Sequence, residues 1–353
     1  MSKKTIGYYS EMIHNKTYCS ALERSLNRIA IRDGRILVTG ASGLIGSCLI
    51  DLLMTANNYG RSFEIFAMGR SLQKLRNRFS YYKNPSQLHY LVQDVKEPLK
   101  CELELDYIVH GASNADPRKY SLFPIETMLT NIYGANNILE YCVNHPHTKV
   151  ILLSSFEVYG NGGKDVYNEE DAGVVDLNSI RSCYPESKRF VEVLSKSYVN
   201  EYGVNTVIGR LCSIYGPTQT KDDSKAHAQF LRNAINGDNI VLKSKGNQRR
   251  TYCYVIDAVT GILHALEKGL PGESYNISYE KSIASISEVA QTIAKISGTH
   301  VIYGNPDAIE SKGYSKPQNC ILDNTKLRLI GWNGHYSLEE GIKETFSIMK
   351  DQR

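Results

Sequence analysis

Residues 35–46 read RILVTGASGLIG, an apolar run that leads directly into a glycine-rich turn. In such a turn Gly40 permits the tight bend, Gly43 lets the backbone approach a pyrophosphate, and Gly46 lets the next helix lie close to the strand. Free N–H groups at the start of that helix point toward the anion. The alternative is a glycine-rich turn that binds no ligand. The pattern predicts a strand, a dinucleotide-binding loop and a helix, with cofactor contacts from Gly40, Ser42, Gly43, Leu44, Ile45 and Gly46.

Outward from this loop, short apolar runs alternate with segments of helical periodicity. The apolar runs stand at 35–40, 63–68, 88–94, 106–112, 149–155 and 204–211. The helical segments stand at 44–56, 125–143 and 185–202. Such alternation is typical of a parallel sheet covered on both faces. We therefore predict an α/β fold, a Rossmann-type doubly wound parallel sheet, with a smaller C-terminal α+β substrate lobe.

The predicted domain boundaries follow from changes in this alternation of apolar runs and helical segments. After Leu211 the helical segments become shorter and stand at 227–236, 257–267, 286–296 and 338–349. Before residue 34 there is no motif, and 21–31 has the pattern of an amphipathic helix. We predict an N-terminal extension at 1–33, a dinucleotide-binding domain at 34–211 to which 251–266 returns, and a mainly substrate-binding lobe at 212–350.

Composition excludes several classes of protein. The 353 residues are 42% hydrophobic and carry a net charge of only +4, with acidic and basic residues interspersed, so no nucleic-acid-binding stripe is indicated. The eight cysteines lie far apart without a CxxC pair, which predicts reduced thiols and neither a metal site nor a disulfide framework. No apolar run reaches the length of about 18 residues that a membrane span needs, and we expect a cytoplasmic protein.

The end of the second strand bears on which dinucleotide binds. A site that prefers NAD usually has an acidic residue there for the ribose hydroxyls, but this chain has Gly69 followed by Arg70. Arg70, with help from Lys74, could neutralise a 2′-phosphate, which slightly favours NADP over NAD. Alternatively, Arg70 stacks on the adenine of NAD. Asp94, after the third strand, is a candidate for the adenine amino group, and its alternative is a turn or helix-cap residue.

The segment Tyr184-Pro185-Glu186-Ser187-Lys188 places a Tyr and a Lys on one face at the start of a helix. A Tyr with a pKa of about 10 is a poor base at neutral pH. A neighbouring ammonium, together with a positive nicotinamide ring, would stabilise the phenolate, so that Tyr184 can take a hydroxyl proton. The spacing alone also occurs on ordinary surface helices, but here it follows a glycine-rich loop and a strand that ends in Ser.

That strand ends at Ser154-Ser155-Phe156-Glu157. Ser155 could share the hydrogen bond to a substrate hydroxyl with Tyr184, and Glu157 could act as a second acid or base. The alternatives are a local backbone hydrogen bond for Ser155 and a solvated loop carboxylate for Glu157. We predict a catalytic group of Ser155, Glu157, Tyr184 and Lys188.

Together these motifs resemble the extended short-chain dehydrogenases/reductases of the NAD-dependent epimerase/dehydratase family, which act on nucleotide sugars. The resemblance also rests on the segments at 110–113 (HGAS), 130–131, 154–160 (SSFEVYG) and 215–217 (YGP). Within that family, the blocks at 94–99, 181–189 and 248–255 look most similar to UDP-glucuronate decarboxylases. The resemblance implies cofactor contacts from Val95, Ala112, Asn131, Tyr184 and Lys188. It also implies a homodimer formed through the helices at 125–143 and 185–202.

The resemblance further implies a nucleotide-sugar substrate, with Arg250 on its diphosphate and Ser113 and Ser213 among its contacts. Arg181 is our own candidate ligand for a substrate carboxylate, or alternatively part of a structural salt bridge. The chain departs from the family at Phe156, where decarboxylases have a small polar residue and 4,6-dehydratases an Asp. Decarboxylation is the preferred interpretation; the alternatives are an epimerase, a 4,6-dehydratase and a non-catalytic nucleotide-binding regulator.

Overall fold

The computed structural model describes residues 12–83, 85–100, 103–305 and 318–352. Its centre is a seven-stranded parallel sheet. The strands are β1 (Gly34–Thr39), β2 (Phe63–Gly69), β3 (Leu88–Val92), β4 (Tyr107–His110), β5 (Lys149–Ser155), β7 (Thr206–Leu211) and β11 (Ser274–Ile277). They lie in the order β11-β7-β5-β4-β1-β2-β3. Outside the edge strand β3, their apolar side chains are nearly all buried, as expected for a sheet covered on both faces. The predicted doubly wound parallel sheet is confirmed.

Helices cover both faces of this sheet. In chain order, the described α-helices are α1 (Lys16–Glu23), α2 (Leu44–Asn58), α3 (Leu72–Arg78), α4 (Pro117–Leu122), α5 (Pro124–Asn144), α6 (Cys183–Tyr202), α7 (Ala226–Asn236), α8 (Val255–Lys268), α9 (Ile286–Ser297), α10 (Thr325–Leu329) and α11 (Leu338–Asp351). Helices α5 and α6 pack on one another. None of the helices in the described ranges is long and apolar enough to cross a membrane.

The C-terminal part of the chain adds three small sheets. In one, β10 (Arg249–Tyr254) lies between β8 (Ser213–Tyr215) and β12 (Ile283–Ser285). Two further pairs join β9 (Ile240–Leu242) to β13 (Val301–Tyr303) and β6 (Val166–Tyr167) to β14 (Ile321–Leu322). The predicted α+β character of this lobe is confirmed. The exact domain boundaries stay a prediction; in the structure, β11 from this part of the chain forms an edge of the main sheet.

The N-terminal segment begins its helix earlier than the sequence pattern predicts. We expected a helix at 21–31, but α1 spans Lys16–Glu23 because the Asn15 side chain accepts a hydrogen bond from the Tyr18 N–H and caps it there. A short 3₁₀ turn, Leu26–Arg28, follows. Residues 1–11 of the predicted extension lie outside the described residues, as does Cys101; the seven described cysteines form no disulfide.

The segment is fastened to the domain by a buried carboxylate. Asp51 in α2 accepts hydrogen bonds from the Tyr18 hydroxyl at 2.9 Å and from the Arg78 guanidinium at 2.9 Å. The hydroxyls of Tyr81 and Tyr82 also donate to it, at 2.6 and 3.2 Å. A buried charge is costly unless it is paired and hydrogen-bonded, and these four donors pair and hydrogen-bond the Asp51 carboxylate.

We expect Tyr18→Phe to lower the free energy of unfolding by about 1.5–3 kcal/mol, the range for a hydrogen bond to a charged group. The ring and its packing remain, and only the bond to Asp51 is lost. Urea denaturation followed by circular dichroism measures the change, with Tyr303→Phe as the control because that side chain is 74% exposed. Equal stability of the Tyr18 variant and the control would contradict this role of the N-terminal segment.

Candidate active site

The glycine-rich loop lies at the carboxyl end of β1, beside the start of the β4 loop. Strands β1 and β4 are neighbours, and the order of the sheet reverses between them, which is where doubly wound sheets bind ligands. Gly40 has φ +69°, and a Cβ there would lie 2.9 Å from the Gly111 carbonyl carbon. A Cβ at Gly46 would lie 2.7 Å from the Gly40 oxygen. Only glycine fits at these two positions, and the backbone is open for a pyrophosphate.

The loop that follows β4 is held against β1 by the Thr39 hydroxyl. The Thr39 Oγ1 accepts the N–H groups of Gly111 and Ala112, both at 3.1 Å, and lies 3.0 Å from His110 Nδ1. Burial and the Lys188 charge lower the pKa of His110 to about 3, so this imidazole is neutral. This contact holds the loop after β4 in place. The Ser113 Oγ in the same loop is buried without a hydrogen-bond partner among the described residues, and an unsatisfied polar atom of this kind fits a polar ligand.

The structure brings Ser155, Tyr184 and Lys188 close together. Ser155 is the last residue of β5, and the other two lie in the first turns of α6; all three are buried. The Lys188 ammonium donates to the Leu153 carbonyl oxygen at 2.8 Å and lies 5.9 Å from the centre of the Tyr184 ring. This hydrogen bond anchors the helix to the end of the strand.

Helix α6 is also tied to α5 near the same place. The Asn131 side-chain amide donates to the Ser187 hydroxyl at 2.8 Å, and that hydroxyl donates to the Tyr184 carbonyl oxygen at 2.9 Å. The position of Tyr184 is therefore fixed from two directions.

In the chain alone, the electrostatics do not yet favour a Tyr184 phenolate. Burial raises the pKa of Tyr184 above its ordinary value, the Glu157 charge raises it further, and the Ser155 hydrogen bond and the Arg181 charge lower it. Burial lowers the pKa of Lys188 to about 8, opposed by the Glu192 charge. For Tyr184, burial and the Glu157 charge outweigh the Ser155 hydrogen bond and the Arg181 charge. A positive nicotinamide ring beside Tyr184 would favour the phenolate.

Glu157 and Arg181 form an ion pair beside this group. The Arg181 guanidinium donates to Glu157 Oε1 at 2.7 Å and to the Tyr120 hydroxyl at 3.2 Å. The other carboxylate oxygen of Glu157 is buried without a hydrogen-bond partner among the described residues. The Tyr120 ring is stacked on the Tyr184 ring, with centroids 5.2 Å apart. A carboxylate, a guanidinium and a second phenol thus surround the predicted base.

Sequence reasoning missed Tyr120. It lies in α4, which begins after Asp116, whose side chain caps the helix, and Pro117 at its first position. Asp followed by Pro is a recognised signal for the start of a helix, and this signal could have placed Tyr120 on a short helix near the β4 loop. That its ring would stack on Tyr184 depends on a contact 64 positions further along the chain, which no local pattern reveals.

A cavity of about 630 Å³ joins these features. Most of the predicted site residues line it: Gly40, Gly43, Leu44, Ile45, Gly46, Ser113, Ser155, Glu157, Arg181, Tyr184, Lys188, Ser213 and Arg250. Six predicted cofactor residues do not: Ser42, Arg70, Asp94, Val95, Ala112 and Asn131. Their predicted cofactor contacts stay predictions.

The two charged residues of these six, Arg70 and Asp94, have partners within the chain. The Arg70 guanidinium donates to Glu126 at 2.8 Å, in a pair that is largely exposed to solvent. The Asp94 carboxylate accepts the Lys96 backbone N–H at 3.0 Å, which is the turn role considered as its alternative. Both contacts involve exposed or half-buried groups.

A further cation of the cavity, Arg250, comes from the C-terminal lobe. Arg250 is the second residue of β10, and its guanidinium lies over the ring of Phe156, with 5.5 Å between the guanidinium carbon and the ring centroid. The cavity therefore runs from the phosphate-binding loop, past Tyr184, to an arginine of the C-terminal lobe. This arrangement is typical of a site that binds a dinucleotide and has room for a second ligand.

Comparison with known proteins agrees with this class. The family model described as "NAD dependent epimerase/dehydratase family" matches residues 36–278. UDP-glucuronic acid decarboxylase 1 of Xenopus tropicalis is 30% identical over 319 residues, which cover 90% of this chain and 72% of that protein. UDP-glucuronic acid decarboxylase 6 of Arabidopsis thaliana is 30% identical, covering 87% of this chain and 86% of that protein. The chain belongs to the NAD-dependent epimerase/dehydratase family.

Solved structures share the fold. UDP-glucose 4-epimerase of Thermotoga maritima, solved with UDP-glucose, has a TM-score of 0.76 at 24% identity and covers 90% of this chain and 99% of that one. A mutant UDP-glucuronic acid 4-epimerase of Bacillus cereus was solved with NAD and a fluorinated UDP-glucuronic acid. It has a TM-score of 0.75 at 25% identity and covers 90% of this chain and 100% of that one.

Proposed function

We propose that this chain is a nucleotide-sugar-modifying enzyme that transiently oxidises C4 of UDP-glucuronate with bound NAD(P) and releases the sugar carboxylate as CO₂. The observation that carries this proposal is the Glu157–Arg181 ion pair beside Tyr184. Reversible oxidation of a hydroxyl requires the Ser155, Tyr184 and Lys188 group alone. A second acid/base and a guanidinium in the same cavity fit a reaction that also handles a carboxylate and ring protons. The relatives named as UDP-glucuronic acid decarboxylases support the same substrate.

Within this proposal each residue has a separate task. Bound NAD(P) supplies reversible hydride transfer at the sugar carbon. Tyr184 removes the C4 hydroxyl proton and later returns it, and Ser155 shares the hydrogen bond to that oxygen. Lys188 holds its charge near the Tyr184 ring and favours the phenolate. Oxidation at C4 gives a β-keto acid, so the electrons of the breaking C5–C6 bond pass to the C4 ketone as CO₂ leaves, and a proton is added at C5.

The two arginines and Glu157 account for the charges of this substrate. Arg181 lies where it can bind the uronate carboxylate in place of Glu157, because a planar guanidinium suits carboxylate oxygens. Glu157, with one oxygen already unpartnered, would then exchange protons near C5. Arg250, which lies over the Phe156 ring in the same cavity, is the proposed ligand of the diphosphate, and Ser113 and Ser213 complete the substrate contacts.

Incubation with UDP-glucuronate and a panel of other UDP, dTDP, GDP and CDP sugars, followed by mass spectrometry, tests the proposal. We expect CO₂ and a UDP-pentose from UDP-glucuronate. The 4-epimerase activity of the structural neighbour from Bacillus cereus makes epimerisation of UDP-glucuronate the second candidate, and a product of unchanged mass with inverted C4 would establish it. A product only from a different nucleotide sugar would overturn the substrate but leave transient oxidation in place.

For the cofactor, we propose that NADP binds at least as well as NAD, because Arg70 stands where an acidic ribose ligand is usual. The exposed Arg70–Glu126 pair is worth at most about 1 kcal/mol, so a 2′-phosphate can compete for the guanidinium. We expect Arg70→Ala to weaken NADP binding more than NAD binding, and Glu126→Gln to leave NADP affinity equal or higher, as measured by calorimetry. A wild-type protein that strongly prefers NAD and an Arg70 variant with unchanged NADP affinity would refute this.

We also propose a homodimer formed by α5 and α6. Large apolar side chains on these helices are exposed in the single chain, among them Ile125 at 73%, Phe190 at 49% and Val193 at 65%. Exposed apolar patches of this kind mark protein interfaces. Light scattering should give the mass of a dimer, and Val193→Asp should shift it toward the monomer. A wild-type monomer at micromolar concentration would contradict the proposal.

A further inference from the structure

Phe156 is the one residue of the strand-end segment that departs most from the family pattern, and the structure gives it a contact. Its ring is half-buried and lines the cavity. The Arg250 guanidinium lies over this ring, with 5.5 Å between the guanidinium carbon and the ring centroid. An aromatic face attracts a cation within about 6 Å. The flanking residues Ser155 and Glu157 belong to the reaction site, so this ring joins the chemistry to the C-terminal lobe.

The backbone of Arg250 is held from both sides. Strand β10 pairs Arg250 with Ala284 of β12, and an isolated bridge pairs it with Cys320. The Arg250 charge acts on a neighbouring side chain of the cavity. Burial raises the pKa of Tyr252 to about 12, and the Arg250 charge opposes that rise. The backbone position of Arg250 is thus fixed by two strand partners.

The chemical nature of the group that orients an arginine determines how well that arginine binds an anion. A carboxylate that oriented Arg250 would also neutralise it and compete with the phosphates of a substrate. An aromatic ring orients the planar guanidinium by its quadrupole without neutralising its positive charge. A small polar residue at position 156 would offer no face on which the guanidinium could lie.

We propose that Phe156 is a positioning residue that holds the Arg250 guanidinium in the orientation in which it binds the diphosphate of the nucleotide-sugar substrate. This inference rests on the proposed function, which makes Arg250 the diphosphate ligand. It assigns Phe156 no contact with the reacting carbon. The ring acts on substrate affinity through Arg250.

The test is a double-mutant cycle on UDP binding, measured by calorimetry on the full chain saturated with cofactor. We expect Phe156→Leu to weaken UDP binding by about three- to tenfold, the range of a partly desolvated cation–π contact. Phe156→Tyr, which keeps the ring, should bind UDP as the unmodified protein does. In an Arg250→Gln background, Phe156→Leu should have no further effect. On the sugar substrate, Phe156→Leu should raise KM more than it lowers kcat.

Phe346→Leu is the matched control, because Phe346 also carries a cation, Lys350, over its ring at 5.7 Å but does not line the cavity. It should leave UDP affinity unchanged. If Phe156→Leu does not fold, by circular dichroism, Phe156→Met replaces it in the same cycle. The inference about Phe156 is overturned if the leucine or methionine variant has unchanged UDP affinity, or if the loss is equal with and without Arg250. Neither result contradicts the proposed function. Unchanged affinity in Arg250→Gln overturns the diphosphate assignment of the proposed function.

Discussion

Replacing Tyr184 by Phe should lower turnover by about 10²–10⁴-fold, the usual effect of removing a positioned acid/base group. In the proposed mechanism, the variant lacks the oxygen that takes the hydroxyl proton, and this first step is common to decarboxylation, epimerisation and dehydration. Its ring remains, so the stack on Tyr120, at 5.2 Å between centroids, is retained. Binding of UDP and of the cofactor should therefore be unchanged, and binding and catalysis should separate.

Tyr202→Phe is the control for this variant, since Tyr202 lies on the same helix and is 59% exposed. It should have the activity of the unmodified protein. The measurement is product formation under saturating substrate, with calorimetry for UDP affinity. Full activity of Tyr184→Phe on a substrate that the unmodified chain converts would show that the mechanism is wrong from its first step.

Glu157→Gln should slow product formation by about 10²–10⁴-fold while the first reduction of bound cofactor is affected much less. Gln keeps the shape of the side chain and can still accept the hydrogen bond from Arg181, but it cannot take up or release a proton. Single-turnover absorbance of the reduced nicotinamide follows the first step, and a product assay follows the whole reaction. A reduced cofactor that accumulates in the variant is the expected sign of a late block.

The control for Glu157 is Glu186→Gln on α6, whose carboxylate pairs with Arg189 at 3.2 Å and does not line the cavity. Both rates should be normal in that variant. Equal losses in the first reduction and in product formation by Glu157→Gln would mean that Glu157 serves hydride transfer or structure, and its separate proton role would be abandoned.

The parts of the molecule that the sequence predicted well are those set by local pattern. The strand at 149–155 and the helix at 185–202 lie where apolar runs and helical periodicity place them, since a parallel strand buried on both faces reads as a continuous apolar run. The glycine-rich turn was equally readable, because Gly40 with its positive φ and the close approach at Gly46 require a residue without a side chain.

The parts that could not be predicted depend on contacts between distant segments. The edge strand β11 is only four residues long and lies far from the other strands of its sheet in sequence. The Asp51 network combines Tyr18, Arg78 and two further tyrosines from three separate elements. The sequence named Glu157 and Arg181 as separate candidates, and only the fold brings them to 2.7 Å. Each such contact is set by tertiary packing, which periodicity does not encode.

The release of CO₂ from UDP-glucuronate labelled at C6 tests the central claim most directly. The unmodified chain, given NAD or NADP, should release the label as CO₂ and leave a UDP-pentose, and Tyr184→Phe should release almost none. If the label stays in the sugar with either cofactor while another nucleotide sugar is converted, the decarboxylase proposal is contradicted. If no nucleotide sugar is converted by the folded, cofactor-saturated protein, the enzymatic proposal itself is contradicted.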